Sequence, residues 1–497
     1  MKKTVLYILA IMCAVTPVLS ACDDGSETEK EPQTQICEHE LIYHDATVTC
    51  TKDGQREYWE CEICGSYFAD ESATLPLTQA ELAAGKLNHK NKIHHAAVAG
   101  TCTGSGTMEY WECPDCGLNF SDEACENSVS KLTTSKTAHR WENGACSACG
   151  ISYNDYFFEF EPNSDRTGYI VDWKRGAELM GQTEIILPGT YENKPVTEVA
   201  AYALANKTGI TDVVVSEGIQ KLNAGSLAGA DIVSVSLPST LHSITGEAFA
   251  GVASSGASSG MRPLPENLTQ ITVAADNAHL VAQNGVIYGT TAGKRTSVEA
   301  VAPGLTGSLT LPDTVNAIAD HAFYGSKLTS VTLPDSPLGA LTVGACAFKG
   351  ASVTALTLPE SVISIGNEAL SFLELETFQV PGKINLLSDA LFRYSNIDTV
   401  ILPEGVTTIG GNAFYSCEID IIVIPKSVTK IGRDAFWAAS IDYVYYGGST
   451  SQQFEAIDGV KDTGNLDLKN AWRKYYSATD INAGNIWHYV DGFPVAW

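Results

Sequence analysis

The chain has 497 residues, with 31 basic against 58 acidic side chains and a formal charge of -27. A surface this acidic repels phosphate backbones, which excludes a nucleic-acid binder. The 44% of hydrophobic residues suffices for buried cores, which excludes wholesale disorder, and the length allows about three domains.

The first residues, MKKTVLYILAIMCAVTPVLSAC, set Lys2 and Lys3 ahead of an apolar run of roughly fifteen residues. That run is too short to span a bilayer and suits an export signal over residues 1–21. The quartet Leu19-Ser20-Ala21-Cys22 resembles the bacterial lipobox, and the resemblance implies cleavage before Cys22 and its acylation. An ordinary signal with a chance cysteine is the alternative. No later segment is apolar enough to cross a bilayer, so the chain is expected to be held to the membrane by lipid. Residues 22–36 read as an acidic tether, DDGSETEKEPQTQ following Cys22. Acidic residues directly behind the cysteine resemble the surface-export signal of Bacteroides-type lipoproteins. That likeness implies a surface-exposed lipoprotein of the outer membrane.

Residues 37–152 hold ten of the fourteen cysteines, in two near-copies and a fragment. The copies are TCTKDGQREYWECEICGSYFAD from Thr49 and TCTGSGTMEYWECPDCGLNFSD from Thr101, and the fragment is AHRWENGACSACG from Ala138. His39, His89 and His139 precede the three units at a matching interval, and His44 and His94 recur as well. A Cys-x2-Cys-Gly turn points two sulfurs at one place, which suits tetrahedral zinc, and the glycine relieves the tight turn. The expected sets are His39, Cys50, Cys61 and Cys64, then His89, Cys102, Cys113 and Cys116, then Cys125, His139, Cys146 and Cys149. Cys37 in place of Cys50, and His94 or His95 in place of His89, fit as well. Disulfides are the rival reading in an exported protein. Closed four-ligand sites leave no position for water or substrate, so the expected metal is structural. The units resemble the zinc-ribbon-like EYWxCxxCGxYF repeats of gut-bacterial surface proteins.

From about Tyr156 a second period takes over. An apolar residue, two others, an apolar residue and, five further on, Phe or Leu recur at Val315/Ile318/Phe323, Val362/Ile365/Leu370, Val406/Ile409/Phe414 and Val428/Ile431/Phe436. Divergent copies are Val196/Val199/Leu204, Ile219/Leu222/Leu227 and Leu241/Ile244/Phe249. The prolines at 312, 334, 359, 381, 403 and 425 stand 22 or 25 residues apart and end each strand, since proline cannot donate into a ladder. The period predicts a β-rich repeat solenoid over residues 153–447, one strand and one short return per unit of 22 residues, whose stacked units share a core. These residues closely resemble the BspA-like leucine-rich repeats (Bacteroides surface protein A type), with consensus LPxxVTxIGxxAFxxCxxLxxVxIP, over roughly 157–446. An insertion at about 274–310 interrupts the array, and Lys383 stands where an apolar residue is expected. Cys417 fills the consensus cysteine slot, occupied elsewhere by Ser326, Ala351 and Ala439, and reads as packing. Residues 448–497 read as an aromatic cap in which Trp487 and Trp497 cover the last repeat.

The resemblance implies a cell-surface adhesin that binds a host matrix or plasma protein, such as fibronectin or fibrinogen, or another bacterium. A glycan-binding lipoprotein serving carbohydrate uptake is the alternative. No Ser-His-Asp order, P-loop or open metal site supports an enzyme. The strand register puts Ile401, Ile421, Val423, Tyr443 and Tyr445 on the solvent face, where an apolar patch marks a binding face or lies under the tail. Glu376, Asp398, Asp420 and Asp442 recur at one position of four repeats, read either as a solvated edge or as a calcium ladder.

Overall fold

A computed structural model describes residues 39–229, 231–250, 264–335, 340–479, 484–490 and 493–497. The export signal, Cys22, the tether and Cys37 lie outside the described residues. The described residues form two compact units, one containing 39–98 with 107–133, the other 99–106 with those of 134–497. The third cysteine module falls in the second unit. Its Trp141 packs against Tyr153, Tyr156 and Phe157, and the Phe157 ring belongs to the core of the first coils.

The first unit is built from two small antiparallel sheets and the two-stranded pairing of Gly54–Gln55 with Ala83–Ala84. Leu41–His44, Tyr58–Cys61, Tyr67–Phe68 and Pro76–Leu77 form one, and Ile93–His95, Tyr110–Cys113 and Leu118–Phe120 the other. The aromatic run Glu-Tyr-Trp-Glu-Cys favours a strand in both copies. The following hairpin turns on Gly65 and Gly117, at φ +67° and +70°, a conformation that a Cβ would disfavour. Their amides donate to the carbonyls of Cys61 and Cys113 at 2.8 Å.

In the second unit successive coils stack through parallel strands. Glu374–Gln379, Asn396–Ile401, Glu418–Ile424 and Ser440–Tyr446 pair in one register, so that Thr377, Thr399, Ile421 and Tyr443 stand side by side, as do Gln379, Ile401, Val423 and Tyr445. Glu184–Leu187, Asp212–Val215, Ser234–Leu237 and Gln270–Val273 begin the series, and Gly307–Thr310, Leu328–Thr332 and Ala355–Thr357 continue it. Each of the last coils carries two strands where the period predicts one. Leu386–Leu387, Thr408–Ile409 and Lys430–Ile431 form a second parallel ladder, because the returning segment also alternates an inward apolar side chain with an outward one.

The repeated phenylalanines form a stacked spine, Phe392 on Phe414 at 5.1 Å and Phe414 on Phe436 at 5.0 Å. Cys417 occupies its expected buried slot, where its thiol donates to the Phe392 carbonyl as the Ser395 hydroxyl donates to that of Leu370 one coil earlier. Burial pushes the Cys417 thiol up to about 12, which leaves it protonated and inert.

The insertion extends the array. Leu280–Gln283, Val286–Thr291 and Lys294–Val301 form hairpins closed by Asn284-Gly285 and Ala292-Gly293, all four residues at positive φ, and the last strand pairs in parallel with Ala317–Ile318. At the other end Phe454, Val460 and Leu468, from the segment holding the helices Ser451–Glu455 and Leu466–Asn470, complete the core of the last coil. Asn465 locks them in place: its carbonyl oxygen accepts from the Phe436 amide at 3.1 Å while its amide donates to the Gly432 and Gly459 carbonyls. These residues close the core of the last repeat, while Trp487 covers the other face of its strand.

Candidate metal centres and binding face

The sequence-based sets regroup in space. Cys50 joins His89, Cys113 and Cys116, and Cys102 joins His139, Cys146 and Cys149, while His39, Cys61 and Cys64 form a third group. Backbone pairing explains the shift of one module. The Leu87 amide donates to the Thr49 carbonyl and that of Asn88 to the Cys50 carbonyl, which lays Cys50 beside His89. At the equivalent place the Thr137 amide donates to the Thr101 carbonyl and lays Cys102 beside His139. Cys125 stays in the first unit, buried with Cys113 and Phe120, and is no partner of His139. The signal was present in the sequence: the fragment from Ala138 has no leading Thr-Cys of its own.

Within each group the donor atoms lie within 4.8 Å of one another. The Cys50 and Cys113 sulfurs are 3.6 Å apart, those of Cys102 and Cys146 3.9 Å. The sulfur to Nδ1 distances for Cys64 and His39, Cys116 and His89, and Cys149 and His139 are 3.5, 3.6 and 3.6 Å. A tetrahedral zinc ion with Zn–S of about 2.3 Å has edges of about 3.8 Å between sulfurs and about 3.6 Å from sulfur to nitrogen. A disulfide would need about 2.05 Å. The two four-donor groups therefore fit tetrahedral zinc in both chemistry and dimensions, and the His39 group supplies three such donors among the described residues.

Electrostatics prepare one thiolate in each group. Burial pushes the Cys61 thiol up, but the His39 bond and the amides of Cys64 and Ile63 outweigh it and bring it down to about 6. Cys146 reaches about 6 in the same way, burial being outweighed by His139 and the amides of Ala148 and Cys149. Cys113 reaches about 7 through His89, Cys50 and the Asp115 amide, again against burial. Burial and the neighbouring sulfurs push the incoming Cys50 up to about 12 and Cys102 up to about 11.

The other repeated histidines are used within the sheets. His44 stacks on Tyr58 and pairs with Glu60 at 3.1 Å. His94 stacks on Trp111 and pairs with Glu109, and His95 stacks on Tyr110 and pairs with Glu112. These contacts join the histidines to the Glu-Tyr-Trp-Glu strands rather than to the sulfurs.

On the second unit the proposed face is partly covered. Ile401, Val423 and Tyr445 are buried under Trp487, which is 1% exposed, and Ile421 is half-buried against them. The strand Trp472–Tyr476 adds in parallel to Ser440–Tyr446, and Ile486–Val490 and Phe493–Ala496 follow. This places Trp487 against Tyr445 at 5.5 Å, with its indole N–H donating to the Tyr446 carbonyl at 2.9 Å. Of the five expected residues only Tyr443 is exposed, and the register sets Trp472 beside it. Trp472 is 79% exposed, and Tyr476 and Tyr489 continue the same aromatic ridge. Pairing of the tail onto the last coil, a long-range event, moved the exposed patch from the coil to the tail.

The carboxylates of Glu376, Asp398, Asp420 and Asp442 are exposed, and among the described residues they form no group that converges on one point. Millimolar calcium is expected to leave the melting temperature of the wild type and of Asp420→Asn unchanged. A rise confined to the wild type would establish a calcium column.

Residues 183–273, 305–338 and 316–442 match the BspA type leucine rich repeat region, in six copies. No curated protein matches the chain significantly. Among solved structures it is similar to a leucine rich cell surface protein from Faecalibacterium prausnitzii, at 19% identity over 63% of this chain and 99% of that one, with a TM-score of 0.29. It is also similar to leucine-rich repeat proteins from Bacteroides ovatus and Eubacterium ventriosum. The first shares 14% identity over 64% of this chain and 93% of that one, with a TM-score of 0.32. The second shares 17% identity over 57% and 93%, with a TM-score of 0.33.

Proposed function

We propose, from the match of residues 183–273 and 305–442 to the BspA type leucine rich repeat region, that this chain is a lipid-anchored, surface-displayed binding protein for an extracellular protein ligand. The ligand class in this reading is a host matrix or plasma protein, or a protein of another bacterium. The observation that carries it is the exposed ridge of Tyr443, Trp472, Tyr476 and Tyr489 on adjoining strands. Exposed aromatic side chains on a rigid sheet supply large contact area at little entropic cost, and such residues dominate binding energy at protein interfaces. In the same reading the three Cys/His groups hold structural zinc and perform no chemistry.

Substituting Trp472 and Tyr443 together by Ser is the direct test, against a panel of immobilised matrix proteins, plasma proteins and bacterial cells. A hot-spot residue is worth about 2 kcal/mol or more, a roughly thirtyfold loss of affinity each. Exposed residues leave the melting temperature nearly unchanged. Full affinity in the double variant would move the ligand elsewhere.

No helix among the described residues is long and apolar enough to cross a membrane. Attachment in this reading is through Cys22. Cys22→Ala is expected to shift the protein from the detergent phase to the aqueous phase, and retention in detergent would place the anchor elsewhere.

A second reading, glycan binding, is favoured by a cleft of about 720 Å³ in the second unit. Trp141 and Tyr153 line it together with Gln182, Thr190 and Glu217. Aromatic faces beside amide and carboxylate groups suit the apolar and hydroxyl sides of a sugar ring. A glycan array run beside the protein panel separates the two readings.

A further inference from the structure

We propose that the Cys/His groups form an interlocked series, in which each metal after the first is completed by a thiolate from the module before it, and that the last metal fastens residues 99–106 to the cap of the repeat array. The inference rests on the zinc reading above. Cys50 opens the first copy yet lies with the His89 group, and Cys102 opens the second copy yet lies with the His139 group. The same backbone bond, two residues before the histidine, delivers the cysteine in both cases: Leu87 to Thr49 and Thr137 to Thr101. Two occurrences of one arrangement, 52 residues apart in the cysteines, make it a rule of the array.

The physical consequence is a set of closed loops. A zinc ion bridging Cys50 and His89, or Cys102 and His139, ties residues 39 or 37 positions apart, and so restricts the unfolded chain as a cross-link would. No module after the first then completes its site alone.

The third group also reaches the array itself. His139 stacks on Trp141 at 5.0 Å and meets Tyr156 edge-on at 4.3 Å, and Trp141 lies 5.5 Å from the buried ring of Phe157. Phe157 packs on Trp173 and belongs to the core of the first coils. Fixing the His139 ring by coordination through Nδ1 therefore fixes the aromatic layer that closes this end of the core.

Alkylation of the full zinc-loaded chain by iodoacetamide, mapped cysteine by cysteine, tests the series. In Cys102→Ser, Cys146 and Cys149 are expected to react at least tenfold faster than in the wild type, while Cys113 and Cys116 keep their protection. Native mass spectrometry should show one zinc fewer. Amide exchange over 153–173 should rise at least tenfold, with Glu374–Gln379 and Ser440–Tyr446 unchanged. The reverse pattern, Cys113 and Cys116 exposed and Cys146 protected, would mean self-contained modules and overturn the proposal. Should Cys102→Ser fail to fold, Cys149→Ser changes an exposed ligand, and it is expected to expose Cys102 and spare Cys125. Exposure of Cys125 in place of Cys102 overturns the series. A wild-type chain that carries no zinc overturns the zinc reading itself, and the series falls with it.

Discussion

With zinc in the Cys/His groups as proposed, excess chelator under reducing conditions is expected to unfold residues 39–98 and 107–133, while the stacked coils keep their own cooperative transition. The reason is the size of the first unit's core. Among the described residues its buried apolar side chains are Tyr58, Phe68, Leu82 and Phe120, with Cys50, Cys61, Cys113 and Cys125 beside them. Ordering a residue costs about 1.5 kcal/mol of conformational entropy, and so few apolar side chains cannot offset that over the whole unit. A structural zinc ion contributes an apparent 10–16 kcal/mol or so at neutral pH, and half of these buried side chains are cysteines. Hydrogen exchange with and without chelator reads the outcome directly. Backbone protection that survives chelator, with the cysteines found joined in pairs on mapping, would show a disulfide framework instead.

Trp487→Ala costs about 3–5 kcal/mol of local stability and releases the tail from the sheet, the range expected for removing a fully buried aromatic side chain. Trp487 covers Ile401, Val423 and Tyr445, and its ring meets Tyr445, Tyr476 and Tyr489 within 5.5 Å. The variant should bind a dye specific for exposed apolar surface and lose amide protection over Ile486–Val490. Loss of the tail also scatters the ridge, so ligand affinity falls together with stability, unlike in the Trp472 and Tyr443 variant. Trp497→Ala is the control. That ring is largely exposed, stacked on His488 and bonded to the Ser477 carbonyl, and its loss should cost about 1 kcal/mol or less. Equal effects of the two substitutions would mean that Trp487 is not the cover.

Much of the array was legible because each coil is a local object. The residues Val406, Ile409 and Phe414 meet their counterparts Val428, Ile431 and Phe436 one coil away, and all six are buried. An error of one residue would turn every inward side chain outward, so the period carries the register with it. Cys417 was readable for the same reason, since its slot recurs at Ser326, Ala351 and Ala439. The second strand of each coil was less visible, because a segment such as Thr408–Ile409 is too short to show alternation by itself.

The sequence by itself determined the repeat period, the inward residues of the coils and the cysteine and histidine types that meet at the metal groups, since all of these follow from patterns within one repeat. Only the tertiary structure decided which cysteine completes which group and what covers the last coils. Cys50 meets His89, and Trp487 meets Ile401, across stretches of chain that carry no period linking them. Such partners are chosen by backbone pairing between distant segments, Leu87 with Thr49 and Tyr443 with Trp472. A repeated motif records that a ligand or an apolar face needs a partner, but two equivalent neighbours satisfy its spacing equally, and the folded chain makes the choice.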